Sequence, residues 1–210
     1  MMSRKMLVCI LVISLTMTST SAVFTASSST EDEGILSDSY TQHDPIRIDD
    51  DADLQNKAQQ ERWQSDGSEN NPIMIEGYEI DGSGEGFCIY MGNTTDHFVI
   101  KDCYLHNASG NYSIWTRHSG LYLYNVVNGT AENNTASSNL NFGINIRNSR
   151  NNHIVNNNVS NNDQNGIELY SSDLNYVMNN TALSNVDSGI YLYTSDDNLM
   201  DNNTIMYNYH

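Results

Sequence analysis

Glycines recur at a constant spacing of 23 residues in the second half of the chain. They stand at positions 120, 143, 166 and 189. Self-similarity with a period of 20 to 50 residues indicates an array of stacked structural units, and it outweighs local propensity. The 210 residues are otherwise of a length that suits a single domain.

Apolar residues occupy four columns when the repeats are aligned on these glycines. The columns one, three, eleven and sixteen residues after the glycine are Leu121, Ile144, Ile167 and Ile190; Leu123, Ile146, Leu169 and Leu192; Ala131, Ile154, Val177 and Met200; and Ala136, Val159, Ala182 and Ile205. The first two columns alternate with polar residues or tyrosine, which is typical of a strand with one buried face. Coils stacked in register would bury all four columns, so the pattern predicts an all-β parallel β-helix of about 23 residues per coil. A leucine-rich horseshoe has a similar period, but its leucine pattern is missing.

Asparagines fill three further columns at the bends between the apolar patches. They stand thirteen, fourteen and nineteen residues after the glycine: Asn133, Asn156, Asn179 and Asn202; Asn134, Asn157, Asn180 and Asn203; and Asn139, Asn162, Asn185 and Asn208. Asparagine tolerates a left-handed backbone at a bend, and its amide can bond the coils above and below. We therefore expect structural ladders, with Asn133, Asn180 and the other members of the first two columns as their principal positions.

The repeat extends upstream with insertions. The segment "GFCIY" from Gly86 resembles the glycine-led strand, and Ile75 and Ile80 align with Ile100 and Leu105 as two buried columns. This alignment predicts five glycine-led coils and one half coil over residues 72–210. Residues 45–71 are expected to form an N-terminal cap, with "PIRI" as an extended lead-in and a short helix in "DDDADLQNKAQQERW" that covers the first coil.

The N-terminal residues have the pattern of a secretion signal. Arg4 and Lys5 precede an apolar run, and small residues follow up to Ala22. The run is too short for a membrane span, and no later segment is apolar enough for one. We expect a signal peptide at residues 1–22, a disordered acidic and Ser/Thr-rich leader at 23–44, and a protein that is secreted or at the cell surface.

Acidic residues dominate the charge of the chain. The formal net charge is −17, with 26 acidic and 9 basic residues, and loss of Arg4 and Lys5 leaves 7 against 26, or −19. Such a surface repels nucleic acid, so a nucleic-acid partner is not expected. Cys88 and Cys103 remain after loss of the leader, and the sequence leaves their pairing open. The last repeat ends at His210 without a recognisable cap, which leaves end-to-end self-association open.

The combination of "SDGSENNPIMIEGYEIDG", "FVIKDCYLHNASG" and "GIYLYTSDDNLMDNNTIMYN" resembles the right-handed parallel β-helix repeat proteins secreted by archaea. That family shares the domain of the periplasmic copper-associated protein NosD and, more distantly, of carbohydrate-binding and sugar-hydrolase β-helices. The resemblance covers roughly residues 45–210. It implies a single-stranded, right-handed, pectin-lyase-like solenoid, and it leaves function open because this architecture hosts many activities.

An outward row of aromatic and charged residues points to polysaccharide as a partner. The candidates four residues after the glycine are Tyr90, Tyr124, Arg147, Tyr170 and Tyr193, and those two residues after it are Tyr122, Glu168 and Tyr191. Aromatic faces can stack on sugar rings, and arginine can bind acidic sugars through two hydrogen bonds. Tyrosines also suit an exposed pleated surface and stack on one another without a ligand, so a purely structural role stays open.

Two alternative functions have weaker patterns. The resemblance to NosD suggests copper, for which Cys88, Met91, Cys103 and His106 are candidate ligands, and calcium is a second candidate cation. A polysaccharide lyase or hydrolase would need catalytic acids, for which Asp163, Asp187, Asp196, Asp197 and Glu168 are the candidates. Because acidic residues at bends are ordinary turn residues, no catalytic residue is assigned. The expected function is a non-catalytic structural or polysaccharide-binding module.

Sequons for N-glycosylation occur in and outside the repeat. Those at Asn133, Asn179 and Asn202 arise from the "NNT" bend motif, whereas Asn93, Asn107 and Asn111 lie in stretches that resemble loops. The last three are therefore the candidate glycosylation sites.

Overall fold

Three parallel sheets and one helix make up the part of the chain that the computed structural model describes, residues 40–63, 65–110 and 118–210. Sheet I contains β2 (Ile46–Ile48), β5 (Phe87–Gly92), β8 (Ser119–Tyr124), β11 (Phe142–Arg147), β14 (Ile167–Tyr170) and β17 (Ile190–Tyr193). Sheet II contains β3 (Ile73–Glu76), β6 (Phe98–Lys101), β9 (Gly129–Glu132), β12 (His153–Val155), β15 (Tyr176–Met178) and β18 (Leu199–Asp201). Sheet III contains β1 (Thr41–Gln42), β4 (Tyr78–Ser83), β7 (Tyr104–Ser109), β10 (Thr135–Ser137), β13 (Asn158–Ser160), β16 (Thr181–Leu183) and β19 (Thr204–Met206). The chain visits the sheets in turn, which confirms the predicted parallel β-helix.

The apolar columns of the alignment are the interior of the solenoid. Ile144 pairs with Leu121 on one side and Ile167 on the other, and Ile154 and Val159 have equivalent neighbours in sheets II and III. Ile75 pairs with Ile100 as predicted, and Ile80 with Leu105. All these side chains are fully buried, so stacking in register creates one continuous core.

Buried asparagines in two of the predicted columns form hydrogen-bonded ladders. Asn157 Oδ1 accepts from the backbone N–H of Asn134 at 2.9 Å and from its Nδ2 at 3.0 Å. Asn157 Nδ2 donates to Asn180 Oδ1 at 3.0 Å and to the carbonyl of Ala131 at 2.9 Å. The nineteen-residue column repeats this arrangement through Asn139, Asn162, Asn185 and Asn208. Each amide thus satisfies buried backbone groups of the neighbouring coils.

The thirteen-residue column has a different role from the one beside it. Its members Asn133, Asn156, Asn179 and Asn202 have φ values of 55°, 58°, 57° and 51° and are exposed. They take the left-handed conformation that turns the chain from sheet II to sheet III, which asparagine adopts more readily than most residues. Asn202 Nδ2 also donates to Asn179 Oδ1 at 2.7 Å on the surface.

A third amide ladder was not predicted. Asn152, Asn175 and Asn198 lie nine residues after the glycine, in the bend between sheets I and II, with Nδ2 to Oδ1 distances of 3.0 and 3.1 Å. Gly129 takes the equivalent place one coil earlier, where an added Cβ would lie 2.5 Å from the Phe98 ring. The column was missed because it has only three asparagines.

The first coils differ from the sequence alignment in two respects. Ile89 pairs with Leu121, so Cys88, and not Gly86, occupies the glycine position of its coil. The alignment failed here because the segment between β5 and β8 is longer than in later coils. Ile46–Ile48 also forms a strand of sheet I. Among the described residues, sheet I and sheet II therefore have six strands each.

The N-terminal helix α1 (Asp51–Glu61) lies within the first coil, between β2 and β3. Asp50 caps it by accepting from the N–H of Asp53 at 2.8 Å, as the acidic run predicts. Leu54 and Ala58 are buried against the core. The strand Thr41–Gln42 pairs with β4, so ordered structure begins inside the range 23–44 that was expected to be a disordered leader. The predicted signal peptide lies outside the described residues.

Asn180→Ala should destabilise the protein strongly. Asn180 Oδ1 accepts from the N–H and Nδ2 of Asn157, and its Nδ2 donates to the carbonyl of Ile154. Loss of partners at buried polar groups costs about 1–3 kcal/mol each, so we expect the free energy of unfolding to fall by at least about 2 kcal/mol. Urea unfolding measures this change.

Asn179→Gly is the matched control, because glycine accepts the left-handed backbone and no buried amide is lost. Its unfolding free energy should change by less than about 1 kcal/mol. Equal stability of Asn180→Ala and the parent would contradict the role of the ladder.

Candidate functional site

The outer face of sheet I carries the predicted carbohydrate-binding residues in two adjacent columns. Pairing places Arg47, Tyr90, Tyr122, Asn145, Glu168 and Tyr191 in an inner column and Gly92, Tyr124, Arg147, Tyr170 and Tyr193 in an outer column. Tyr90 therefore belongs beside Tyr122, and not in the outer column as the alignment on Gly86 had it. The two columns remain neighbours on one surface.

Burial divides this set into a covered part and an exposed part. Tyr122 and Glu168 are only 5% and 6% exposed, so neither presents a free surface to a ligand. Tyr124, Tyr170 and Tyr193 are between 36% and 48% exposed. We call these last three residues together with Arg147 the tyrosine ridge.

Arg147 of the ridge forms an ion pair with the buried Glu168, and the Arg147 side chain is itself 19% exposed. Arg147 Nη2 lies 2.7 Å from Glu168 Oε1, and Asn165 Nδ2 donates to Glu168 Oε2 at 2.9 Å. The guanidinium also lies over the Tyr170 ring, 4.5 Å from its centroid. Arg147 is thus engaged on two sides, which is unfavourable for the predicted grip on an acidic sugar.

Two of the three rings of the ridge, Tyr170 and Tyr193, stack on each other. The centroids of Tyr170 and Tyr193 are 4.9 Å apart with an interplanar angle of 20°. Because Arg147 covers a face of Tyr170 as well, that ring offers a ligand its edge and hydroxyl rather than a free face. The structure therefore supports the self-stacking role that the sequence left open, and it leaves the phenol hydroxyls available at the surface.

A polar groove runs beside the ridge along the bend between sheets I and II. It encloses about 400 Å³ and is lined by Asn125, Val127, Asn148, Ser149, Arg150, Ser171, Asp173 and Leu174. Asn125, Asn148 and Ser171 directly follow ridge-column positions and have φ near 50°. These left-handed residues end the strands of sheet I and place amide and hydroxyl groups next to the tyrosines. We call this feature the bend groove.

The family that the sequence matches agrees with the observed fold. Residues 87–210, more than half of the chain, match the family described as "Right handed beta helix region". The chain belongs to this right-handed β-helix family. Among solved structures, it is similar to the A-module of the mannuronan C-5 epimerase AlgE6 of Azotobacter vinelandii, with a TM-score of 0.45 and 18% identity. The similarity covers 62% of this chain and 40% of that one, and no curated protein is a significant match.

The candidate metal ligands of this β-helix do not converge. Cys88 and Met91 are fully buried in β5, and Cys88 Sγ lies 3.3 Å from the carbonyl oxygen of His106. Cys103 Sγ lies 3.2 Å from the carbonyl of Lys101, and His106 Nε2 is 3.3 Å from Glu79 Oε1. Within the described ranges, no group of three or more His, Cys, Asp and Glu side chains is arranged to hold a metal ion.

The acidic candidates are divided between two bends. Asp163 and Asp187 lie in bends between sheets III and I, whereas Asp196 and Asp197 follow β17. Glu168 is already bonded to Arg147.

Of the glycosylation candidates, Asn93 and Asn107 are exposed with positive φ, and Asn111 lies outside the described residues. In the described part of the chain, no helix has the length and hydrophobicity needed to cross a membrane.

Both cysteines of the described chain are free thiols inside the solenoid. Burial raises the pKa of Cys88 far above its usual range, and burial likewise raises the pKa of Cys103 to about 11. A thiol with such a pKa is ionised to only about one part in a thousand at pH 8.

We therefore expect Cys88 and Cys103 to resist alkylation in the folded protein. N-ethylmaleimide at pH 8 should modify both cysteines within minutes in guanidinium. Without guanidinium the reaction should be at least about 100-fold slower, because little thiolate is present and the reagent cannot reach the buried sulfur atoms. Mass spectrometry of the two peptides measures this. Fast native labelling, or a disulfide between them, would contradict the structure.

Glu168→Ala should destabilise the protein by about 2–4 kcal/mol, because it leaves the Arg147 guanidinium without its buried partner. Arg147→Ala should have a similar effect. The double variant should lose at least about 1 kcal/mol less than the sum of the two, which is the signature of a direct pair. Unfolding in urea measures all three, and the exposed Arg150→Ala should change stability by less than about 0.5 kcal/mol. Additive losses would show that the ion pair contributes little.

Proposed function

We propose that this right-handed β-helix protein binds polysaccharide on the outer face of sheet I without catalysing a reaction on it. The observation that carries the proposal is the exposed tyrosine ridge with the bend groove beside Tyr124, Arg147 and Tyr170. Aromatic edges, phenol hydroxyls and amides side by side suit a ligand with many hydroxyl groups. A few convergent polar groups in a concave site are what fix the orientation of such a ligand.

The periodicity of the surface supports a polymer as the ligand. Tyr170 and Tyr193 occupy the same position in consecutive coils, as do Asn125, Asn148 and Ser171. Neighbouring strands lie ~4.8 Å apart, so equivalent hydrogen-bonding groups recur at that interval along the solenoid. A linear chain with a short repeat could make the same contact at successive coils.

The geometry favours hydrogen bonding over ring stacking. Tyr170 has Arg147 over its ring and Tyr193 stacked 4.9 Å away, so contact with a sugar ring would have to displace one of them. The hydroxyl of each tyrosine can donate and accept without any rearrangement. Polysaccharide would therefore be held by a row of hydroxyls and amides, with ring edges as apolar contacts.

The proposal places the protein at the cell surface. Export is supported by the apolar N-terminal run and by the sequence resemblance to secreted archaeal and NosD-like repeat proteins. End-to-end contact between copies is part of the proposal as well. It would involve the last coil, where Leu192 and Ile205 are 37% and 50% exposed, whereas Ile46 and Ile73 of the first coil are fully buried.

Replacing Tyr170 and Tyr193 by phenylalanine tests the proposal. The double variant keeps the stacked rings and loses two hydroxyls, each of which contributes about 0.5–1.5 kcal/mol as a hydrogen bond. We expect at least about a fivefold loss of affinity for bound polysaccharide, with unchanged circular dichroism. Affinity electrophoresis against a panel of neutral and acidic polysaccharides measures it, and released products are assayed in the same samples.

Tyr176→Phe is the matched control, because Tyr176 is 39% exposed and stacked on His153 at 4.6 Å, but lies on sheet II. It should bind as the parent does. Retention of full affinity by the Tyr170→Phe, Tyr193→Phe variant would exclude the ridge as the binding surface. Released products would show that the protein is an enzyme, against the proposal.

A further inference from the structure

Arg150 is an exposed cation in the bend groove without a partner of its own. Its side chain makes no hydrogen bond or ion pair with any described residue, whereas Lys57, Lys101 and Arg147 are each paired with a carboxylate. Its backbone is held in place, since Arg150 N–H donates to the carbonyl of Val126 at 3.0 Å and Arg150 bridges Val127 of the preceding coil. The guanidinium therefore extends from a fixed point on the groove wall.

A carboxylate lies one coil away and does not neutralise it. Asp173 stands 23 residues after Arg150, at the equivalent position of the next coil. Its Oδ1 accepts from the backbone N–H of Asp196, 2.8 Å away in the following coil. The carboxylate is thus bonded toward the coil beyond, and no ion pair to Arg150 within 4.0 Å is present.

The surroundings of Arg150 suit an anionic group carried by a hydroxyl-rich molecule. Asn125, Asn148 and Ser171 line the same groove and supply donors and acceptors for hydroxyls. A guanidinium binds carboxylate or sulfate oxygens with two parallel hydrogen bonds. Arg147 is less suited to the predicted role of holding an acidic sugar, because it is bonded to Glu168 and lies over the Tyr170 ring.

We propose that Arg150 forms an anion subsite of the bend groove, selective for polysaccharides that carry carboxylate or sulfate groups. This inference rests on the proposed function, because the groove borders the tyrosine ridge. The excess of acidic residues opposes acidic polymers at long range, so recognition is local and depends on the alignment of the charged group with Arg150. Asp173 limits the affinity, since its charge lies in the same column.

Matched pairs of polymers test the subsite. Polygalacturonate is compared with its methyl ester, and dextran sulfate with dextran, in affinity electrophoresis at 0.15 M salt, where long-range charge effects are screened (~8 Å). We expect the parent to bind at least one acidic polymer more tightly than its neutral counterpart. The pair that shows the difference identifies the anionic group.

Two variants assign the effect to Arg150. Arg150→Gln should lose about five- to tenfold in affinity for the acidic polymer and keep its affinity for the neutral one. Asp173→Asn keeps an acceptor for the N–H of Asp196 and removes the neighbouring charge, so it should bind the acidic polymer more tightly. Arg62→Gln, at the exposed end of α1, removes the same charge elsewhere and should behave as the parent.

The outcomes separate this inference from the function on which it rests. If the parent binds polysaccharide with no preference for acidic polymers, the proposal of an anion subsite is wrong, whereas the proposal that the tyrosine ridge binds polysaccharide still stands. If Arg150→Gln and Arg62→Gln lose the same affinity, net charge and not a subsite causes the effect, and the inference is overturned. If the parent binds none of the four polymers and none of the wider panel, the proposed function fails with it.

Discussion

The buried amide ladders are the constraint on which the rest of the structure depends. Asn157 bonds backbone groups of the coil before it and the amide of the coil after it, so its contacts exist only when three coils are in register. A slip of one residue would bury unsatisfied donors and acceptors in every coil. Parallel strand pairing alone would not distinguish registers so sharply.

The glycines that reveal the repeat follow from this packing. A Cβ at Gly166 would lie 2.6 Å from the carbonyl of Gly189 and 2.8 Å from Asn185 Nδ2, a member of the nineteen-residue ladder. The start of each sheet I strand thus passes too close to the ladder for any side chain. Cys88 occupies the equivalent position of its coil, where its thiol faces the carbonyl of His106.

Function in such a solenoid is decided by outward positions that the packing leaves free. The interior columns stay apolar from coil to coil, whereas the outer column of sheet I changes from tyrosine to Arg147 and back. At the bend, the same position holds Arg150 in one coil and Asp173 in the next. Because consecutive coils are held in register, each such change places a new chemical group at a defined point along the surface.

Sequence reasoning located the repeat, its buried columns and two of the three amide ladders. It placed the Tyr90 column incorrectly, since the longer segment between β5 and β8 conceals the register that Ile89 and Leu121 define. It also treated Tyr122 and Glu168 as surface residues, because alternation in a strand shows which side of a sheet a residue faces and not whether something covers it. The nine-residue ladder has too few members to be seen without the bend geometry.

The sequence by itself therefore determined the solenoid, because a strict period of 23 and its apolar columns can be satisfied only by coils stacked in register. Only the tertiary structure decided which charged side chains are free to contact a ligand. Arg147 and Arg150 are three residues apart, and the sequence does not show which of them is paired; one is bonded to a buried glutamate and the other has no partner in the described chain. The difference arises because side-chain pairing between coils depends on where neighbouring carboxylates point, and a linear pattern does not contain that information.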